Sequence, residues 1–322
     1  MNGTRLLTAG LAALALAAAL VAVVVTRDGD GGGQVKVVAS TPIVADLVRS
    51  VGGERVEVVT LAPPKADPHT FEPPDDAREG TEDAAVAFRA GGDYDAWLED
   101  VIPPVGAAER VALIDAVPNL SRRPRGGPDP HWWLDLGNIA DAALVVTSAL
   151  SEADPDGASE YGRNAEALAE RVADLDARLS FCMSSIPPER RRLFTAHDAM
   201  RIFAERYRVN FAGSLYGART SGELPDARAE RLLDRLRDLG VRAVFPEAGV
   251  DAAELERIAL DLGVPLADPL WVDTLGEEDG EPESLLGGLI ATGESIARGL
   301  GGDRQVCDLS NPPGASGSPF GS

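Results

Sequence analysis

The chain contains three histidines, and each stands among residues that suit a metal ligand. His69 and His131 both end an Asp-Pro-His tripeptide, and His197 lies in the run Thr-Ala-His-Asp. Neutral imidazole is the commonest metal ligand among side chains. Three imidazoles and one carboxylate form a tetrahedral donor set that suits zinc. Because the chain has no other histidine, we interpret the three as parts of one metal site.

Several side chains near these histidines have more than one interpretation. The carboxylates of Asp67 and Asp129 either orient the neighbouring imidazoles or are ordinary loop residues. Trp132 and Trp133 are interpreted as packing of their loop, with a gate that keeps water off the metal as the alternative. Glu247 follows a predicted strand, and we favour a surface or helix-cap role over a carboxylate that supports the metal ligands or a general base.

Other kinds of chemistry lack a matching pattern. The Gly-Gly pairs of the chain lack the surrounding residues of a phosphate-binding loop, and a His-Glu-x-x-His zinc-enzyme helix is absent. With every histidine assigned to metal, no Ser-His or Cys-His catalytic pair remains. The net charge of −22 argues against nucleic acid as a partner. The pattern favours a binding protein over an enzyme.

The two ends of the chain are expected to lie outside the fold. The apolar run Leu6–Val25 (residues 6–25) has the length of a secretory signal or a single membrane anchor. Together with a Gly-rich tether it makes residues 1–33 an export or anchoring segment. Residues 310–322 are rich in Gly, Ser and Pro and are predicted to be disordered. We therefore expect the folded part to work outside the cytoplasm.

The chain has two cysteines, Cys182 and Cys307. In an oxidising compartment two well-separated cysteines can pair, so we predict a disulfide between the middle of the chain and its C-terminal end. Two buried free thiols are the alternative. Two cysteines are too few for a zinc site made of several thiolates.

Segments with strand and helix spacing alternate along the chain, which predicts an α/β fold with parallel sheets. We expect a first lobe at 35–152, a single long connecting helix within 153–186, and a second lobe at 187–309. The connecting helix is predicted from apolar residues three or four positions apart. The predicted strands are 35–39, 56–61, 84–88, 111–114, 193–196, 210–214 and 241–245, and the predicted helices are 43–51, 94–101, 136–150, 157–183, 198–207, 226–239, 251–262 and 283–300.

The predicted strands bring the candidate ligands to one place. In open α/β sheets, ligands bind beyond the carboxyl ends of the strands. His69 and His131 come after predicted strands of the first lobe, and His197 directly follows one of the second. An acidic loop with Asp268 and Asp273 follows another segment of the second lobe. We therefore expect a metal site between the lobes, with two ligands from each.

Longer motifs around these residues carry a resemblance to a known family. They are the segments 37–48, 67–73, 129–135, 195–199 and 203–207, and the similarity extends over about 35–300. The chain resembles the cluster A-I solute-binding proteins of zinc and manganese ABC transporters, the ZnuA/TroA-like proteins. The resemblance implies two α/β lobes joined by one long helix, with metal between them. It places His69, His131 and His197 at the three histidine positions of the site.

The resemblance also bears on the fourth ligand and on the metal. Family members commonly have an Asp after an aromatic and one further residue, which favours Asp273 in Trp-Val-Asp-Thr-Leu-Gly over Asp268. Zinc importers often carry a histidine-rich loop before the second Asp-Pro-His, but here residues 121–127 lack histidine. Manganese-selective members tend to have a carboxylate where this chain has His197. Nitrogen ligands disfavour manganese, so we expect zinc.

We therefore expect a monomeric protein that captures Zn²⁺ and delivers it to the membrane permease of an ABC transporter for import. A manganese or iron importer component of the same fold is one alternative, because a three-histidine site can also bind Mn²⁺. A zinc hydrolase with an open coordination position and Glu247 as its base is a second alternative. An adhesin that keeps the metal for structure is a third.

Overall fold

The computed structural model describes residues 33–78, 80–102, 109–118, 120, 122–123, 127–277 and 280–310. Short segments rich in β-branched residues form the sheet of the first lobe, in which all neighbouring strands are parallel and the order is β2-β1-β3-β4. The central strands are buried, which fits a parallel sheet covered on both faces. The strands are β1 (Val35–Ala39), β2 (Val56–Thr60), β3 (Val86–Arg89) and β4 (Glu109–Ala112).

Three helices belong to the first lobe: α1 (Pro42–Gly52), α2 (Leu98–Val101) and α3 (Leu136–Ala153). Asp135 caps α3 by accepting a hydrogen bond from the backbone N–H of Gly137. The helix predicted over 94–101 begins only at Leu98. The carboxylate of Asp95 instead accepts the backbone N–H groups of Ala90 and Gly91, which holds the preceding residues in a turn.

The long connecting helix is α4 (Ala158–Ser185), and its buried face carries the apolar residues that predicted it. Near its C-terminal end the predicted disulfide is present between Cys182 and Cys307, whose Cα atoms lie 4.8 Å apart. This bond connects residues 125 positions apart in the sequence. The prediction of paired cysteines is therefore confirmed.

The second lobe repeats the α/β alternation. Its parallel strands are β5 (Arg192–Thr195) and β6 (Asn210–Ser214), and its helices are α5 (Arg201–Tyr207), α6 (Asp226–Leu239), α7 (Ala253–Leu262) and α8 (Leu285–Leu300). The strand predicted over 241–245 is wrong, because this region makes only isolated bridges, Val244 with Leu266 and Glu247 with Leu270. Prolines at 246, 265 and 269 lack the N–H groups that a continuous ladder needs.

The lobes share a continuous apolar core. Residues from the first sheet, α4, α5 and α8 belong to one cluster of buried side chains. The carboxylate of Asp46 in α1 accepts a hydrogen bond from the backbone N–H of Leu285 at the start of α8. The division at 152 and 187 stays a prediction, since Gln34–Ser322 forms a single unit by its contacts.

Two predicted segments fall outside the described residues. The first is the segment 1–33, which contains the apolar run and of which only Gly33 is described. The second is the tail beyond residue 310. Within the described part of the chain, no helix is both long enough and apolar enough to span a bilayer.

Candidate metal centre

The loops at the carboxyl edges of the two sheets position the four candidate ligands. His69 lies in a proline-rich loop after β2, here called the His69 loop (residues 63–74), and His131 lies just before α3. In the second lobe, His197 comes two residues after the end of β5. Asp273 lies in the Asp273 loop (residues 271–276), which precedes α8. The sheet edges therefore bring together residues that are far apart in the sequence.

The structure brings the four predicted ligands into one cluster, His69, His131, His197 and Asp273, whose ligand atoms all lie within 4.8 Å of one another. The Nε2 atom of His131 lies 3.3 Å from Nε2 of His69 and 3.3 Å from Nε2 of His197. The carboxylate oxygens of Asp273 lie 3.2–3.6 Å from the three Nε2 atoms. All four donor atoms therefore point at one small volume.

The cluster is nearly sealed from water. His131, His197 and Asp273 are buried, whereas the side chain of His69 keeps about 12% of its surface exposed. The Oδ1 atom of Asp273 is buried and lacks a hydrogen-bond partner among the described residues. A buried carboxylate oxygen without a hydrogen-bond partner is costly, and this one lies 3.5 Å from Nε2 of His131, inside the cluster.

A buried carboxylate orients the ring of His197. The Oε1 atom of Glu247 accepts the backbone N–H groups of Ala196 and His197, and Oε2 accepts the Nδ1–H of the His197 ring. A carboxylate can only accept, so the Nδ1 atom carries a proton and Nε2 is the nitrogen that faces the cluster. The surface or helix-cap role favoured for Glu247 is wrong, because its side chain is buried against His197.

The two Asp-Pro-His tripeptides differ in the structure. Oδ1 of Asp129 accepts the Nδ1–H of the His131 ring at 2.7 Å and its backbone N–H at 3.2 Å. Oδ1 of Asp67 accepts only the backbone N–H of His69, at 3.0 Å, and Oδ2 accepts the hydroxyl of Thr70. Asp129 therefore orients its imidazole, and Asp67 shapes its loop.

Asp268, the weaker candidate for the fourth ligand, does not join the cluster. Its side chain is mostly exposed and forms an ion pair with Arg298 at 2.8 Å. The hydroxyl of Ser295 donates to its backbone carbonyl, which fixes the main chain away from the histidines. Of the two acidic residues in this region, the structure places Asp273 beside the imidazoles.

Two of the four side chains have strongly shifted pKa values. Burial raises the pKa of the Asp273 carboxyl, but the imidazoles of His197 and His131 outweigh this and hold it well below its usual range. Burial lowers the pKa of His197, but the carboxylates of Glu247 and Asp273 outweigh this and raise it well above its usual range. Without metal, a proton on His197 therefore balances the negative charge of its neighbours.

Aromatic residues of the first lobe support the Asp273 loop. The hydroxyl of Tyr94 donates to the backbone carbonyl of Asp273 at 3.0 Å, and the indole N–H of Trp133 donates to that of Val272 at 2.9 Å. Trp132 and Trp133 are both buried, as the packing interpretation expected. Tyr94 was not among the residues predicted to belong to the site. Its position just beyond β3, at the same sheet edge as the ligands, was the available signal.

A buried cluster of three imidazoles and one carboxylate between two α/β lobes defines a class of protein that binds a divalent metal. Comparison with known sequences identifies the family within this class. Residues 37–299 match the family model described as "ZnuA: Zinc-uptake complex component A periplasmic". The chain belongs to this family.

Two relatives illustrate the similarity in sequence. The manganese-binding lipoprotein MntA of Halalkalibacterium halodurans is 28% identical over 275 residues, which cover 85% of this chain and 90% of the relative. The manganese ABC transporter substrate-binding lipoprotein PsaA of Streptococcus pneumoniae serotype 4 is 26% identical over 285 residues, covering 85% and 92%. Both similarities extend over nearly the whole of each chain.

Solved structures show the same fold. The periplasmic zinc-binding protein TroA from Treponema pallidum superimposes with a TM-score of 0.77 at 23% identity, covering 83% of this chain and 99% of that one. Fe(III)-bound YtgA from Chlamydia trachomatis gives a TM-score of 0.74 at 21% identity, covering 84% and 99%. The predicted fold of two α/β lobes and a long helix is therefore confirmed.

Family membership establishes the general role of the chain. It is the substrate-binding component of a metal ABC transporter, which works with a membrane permease and is not an enzyme. The family is described as periplasmic, which confirms the expected location outside the cytoplasm. The metals named for the relatives differ among zinc, manganese and iron, so membership alone leaves the metal open.

Proposed function

We propose that this chain captures Zn²⁺ through His69, His131, His197 and Asp273 and delivers it to a membrane permease for import. The observation that carries the proposal is the cluster of four donor groups: five of the distances between them are 3.2–3.6 Å, and the ligand atoms all lie within 4.8 Å of one another. Zinc bonds of about 2.0–2.1 Å would place tetrahedral ligands about 3.3–3.4 Å apart. The cluster is therefore compact enough for all four groups to bind one ion of this size, and the choice of zinc depends on the chemistry of the donors.

The chemistry of the donors supports the same metal. Three of the four are imidazole nitrogens, which suit zinc, whereas manganese prefers carboxylate, carbonyl and water oxygens. Hydrogen bonds from Nδ1 to Asp129 and Glu247 leave Nε2 of His131 and His197 free to bind, and they make the imidazoles more basic. These contacts favour a cation that binds neutral imidazole strongly.

The arrangement supports a carrier rather than a hydrolase. Four protein ligands close a tetrahedral coordination sphere and leave no open position for a reacting water. Both carboxylate oxygens of Glu247 already accept hydrogen bonds from residues 196 and 197, so this residue is poorly placed to act as a general base. An adhesin that retains metal for structure has no specific support from the described residues.

Manganese uptake is the second candidate function. It is supported by the relatives MntA and PsaA, which are named for manganese and match nearly the whole chain. The two candidates share the site and the transport role and differ only in the ion. The nitrogen-rich donor set is the reason to place zinc first.

A competition titration of the metal-stripped protein against a chelator of known affinity tests the proposal. We expect one equivalent of tightly bound Zn²⁺ and much weaker binding of Mn²⁺. Manganese binding as tight as zinc binding would favour the second candidate. Absence of tight binding for both ions would contradict the proposed site, provided that circular dichroism shows the stripped protein to be folded.

A further inference from the structure

The second lobe holds the His69 loop through its main chain. The backbone N–H of Lys65 donates to the hydroxyl oxygen of Thr274 at 2.6 Å. The Thr274 hydroxyl donates in turn to the backbone carbonyl of Leu275, so its lone pair is free to accept. Thr274 is buried and directly follows Asp273, while Lys65 comes four residues before His69. One hydrogen bond therefore links the loops that carry two ligands from different lobes.

A close backbone approach lies beside this bond. Lys65 adopts φ +63°, which is uncommon for a residue with a side chain, and Gly249 adopts φ +82°. A Cβ atom at position 249 would lie 2.9 Å from the carbonyl oxygen of Lys65. Only glycine fits there while the two loops touch. The ammonium group of Lys65 also pairs with Glu281 of the second lobe at 2.8 Å.

A second point of contact lies nearer to His69. The hydroxyl of Thr220, a buried residue of the second lobe, donates to the carboxylate of Asp67. The same carboxylate accepts the backbone N–H of His69 at 3.0 Å. The backbone of His69 is thus connected to the second lobe through one carboxylate.

We infer that these contacts with the His69 loop set the rate at which the bound metal leaves. His131 and His197 are fixed by carboxylates of their own lobes. Separation of His69 from Asp273 would open the site, and the hydrogen bond from Lys65 to Thr274 spans that separation. Lys65, Thr274 and Gly249 are positioning residues that hold the bound state closed. This inference rests on the proposed function, because it concerns retention of the same ion.

Gly249→Ala tests the inference, and Gly263→Ala is its matched control. Both glycines have positive φ, so both substitutions strain the backbone, but a Cβ at position 263 would meet no atom within 4 Å. We expect the first variant to release Zn²⁺ at least about tenfold faster than wild type, and the control to release it at the wild-type rate. Stopped-flow mixing of zinc-loaded protein with excess chromogenic chelator measures the dissociation rate.

Thr274→Val provides a second variant that does not depend on backbone strain. It removes the acceptor for the Lys65 N–H while keeping the shape of the side chain, and we expect dissociation to become about fivefold faster. Thr147→Val is its control, because the hydroxyl of Thr147 only donates to Ala143 within α3. Association rates and the visible spectrum of the Co²⁺-loaded protein should stay as in wild type for all four variants.

The outcomes separate this inference from the function on which it rests. If wild-type protein binds zinc weakly, the proposed function fails and the inference fails with it. If wild type binds tightly but Gly249→Ala and Thr274→Val release zinc at the rates of their controls, only the inference is overturned. A changed Co²⁺ spectrum, or slower association with unchanged dissociation, would also overturn it, since these residues would then act on coordination or entry.

Discussion

The two halves of the candidate metal centre are held in different ways. His131 and His197 each donate Nδ1–H to a buried carboxylate of their own lobe, Asp129 and Glu247. Among the described residues no carboxylate accepts from Nδ1 of His69; its backbone N–H donates to Asp67, and its loop is held by residues of the other lobe. Asp273 likewise has its backbone carbonyl bound from the first lobe, by the hydroxyl of Tyr94.

This difference explains how a carrier can bind a metal ion tightly and still release it. The rings of the first pair, His131 and His197, are each oriented within their own lobe. Presenting these two imidazoles to an incoming ion therefore costs little free energy. The second pair is held by contacts between the lobes, so loss of those contacts would free His69 and Asp273 together. A permease that breaks these contacts would therefore weaken the site without opening the apolar core that the lobes share.

The largest effect is expected for His197→Ala. This change removes one of four ligands and leaves Glu247 and Asp273 buried with less positive charge nearby. Since a closed zinc site gains several kcal/mol from each ligand, affinity should fall by about a hundredfold or more. Chelator competition measures it. Unchanged affinity, with a folded protein by circular dichroism, would contradict the assigned ligand set.

The carboxylates that orient the imidazoles should differ in sensitivity. Both oxygens of Glu247 accept hydrogen bonds. In Glu247→Gln, an amide NH₂ group replaces one of these oxygens and faces an N–H group, so zinc affinity should fall about 10- to 100-fold. Asp129 uses Oδ1 for both bonds, and its Oδ2 lacks a hydrogen-bond partner among the described residues, so Asp129→Asn keeps both bonds. We expect Asp129→Asn to lower zinc affinity only a few-fold. Equal losses would show that charge rather than hydrogen-bond geometry matters.

The raised pKa of His197 predicts proton release on binding. Its pKa lies above the usual value near 6.5, so at neutral pH the ring carries a proton that metal must displace. Zinc affinity should therefore fall as pH decreases and should still increase with pH above 6.5. Calorimetry in buffers of different ionisation enthalpy should detect about one proton released at pH 7.5. Release of no proton would mean that the apoprotein holds His197 neutral.

The smallest effect on binding is expected for the disulfide, which lies outside both halves of the site. Replacing Cys182 and Cys307 with serine removes a crosslink between residues 125 positions apart, so stability should fall by about 2–4 kcal/mol. Zinc affinity should stay at the wild-type value. Urea unfolding and chelator competition on the same variant measure the two quantities. A large loss of affinity would show that this end of α4 is coupled to the metal centre.

Much of the fold and the ligand set could be predicted from local patterns. Apolar spacing defined α4, and strand-end positions put His69, His131 and His197 in one cleft. Nearly all helices were predicted within a few residues of their observed bounds. These features depend on periodicity and on the general rule for parallel sheets, both of which can be read from one sequence.

The supporting contacts could not be predicted because they depend on tertiary placement. Glu247 is 50 residues from His197 and reaches it because the backbone N–H of Phe245 donates to the carbonyl of Phe194 in β5. The segment's own bridges run to Leu266 and Leu270 and form no regular strand. The bond from Lys65 to Thr274 spans 209 residues and depends on one residue with positive φ. Neither the contact between Glu247 and His197 nor the positive φ of Lys65 can be predicted from the neighbouring residues in the sequence.

Anomalous diffraction from crystals of the zinc-loaded protein, collected on both sides of the zinc absorption edge, will show which groups bind the ion. We expect one strong peak within bonding distance of Nε2 of His69, His131 and His197 and of the Asp273 carboxylate, with no water bound to the ion. A peak elsewhere, or an ion held by fewer than four of these groups with a bound water, would contradict this expectation.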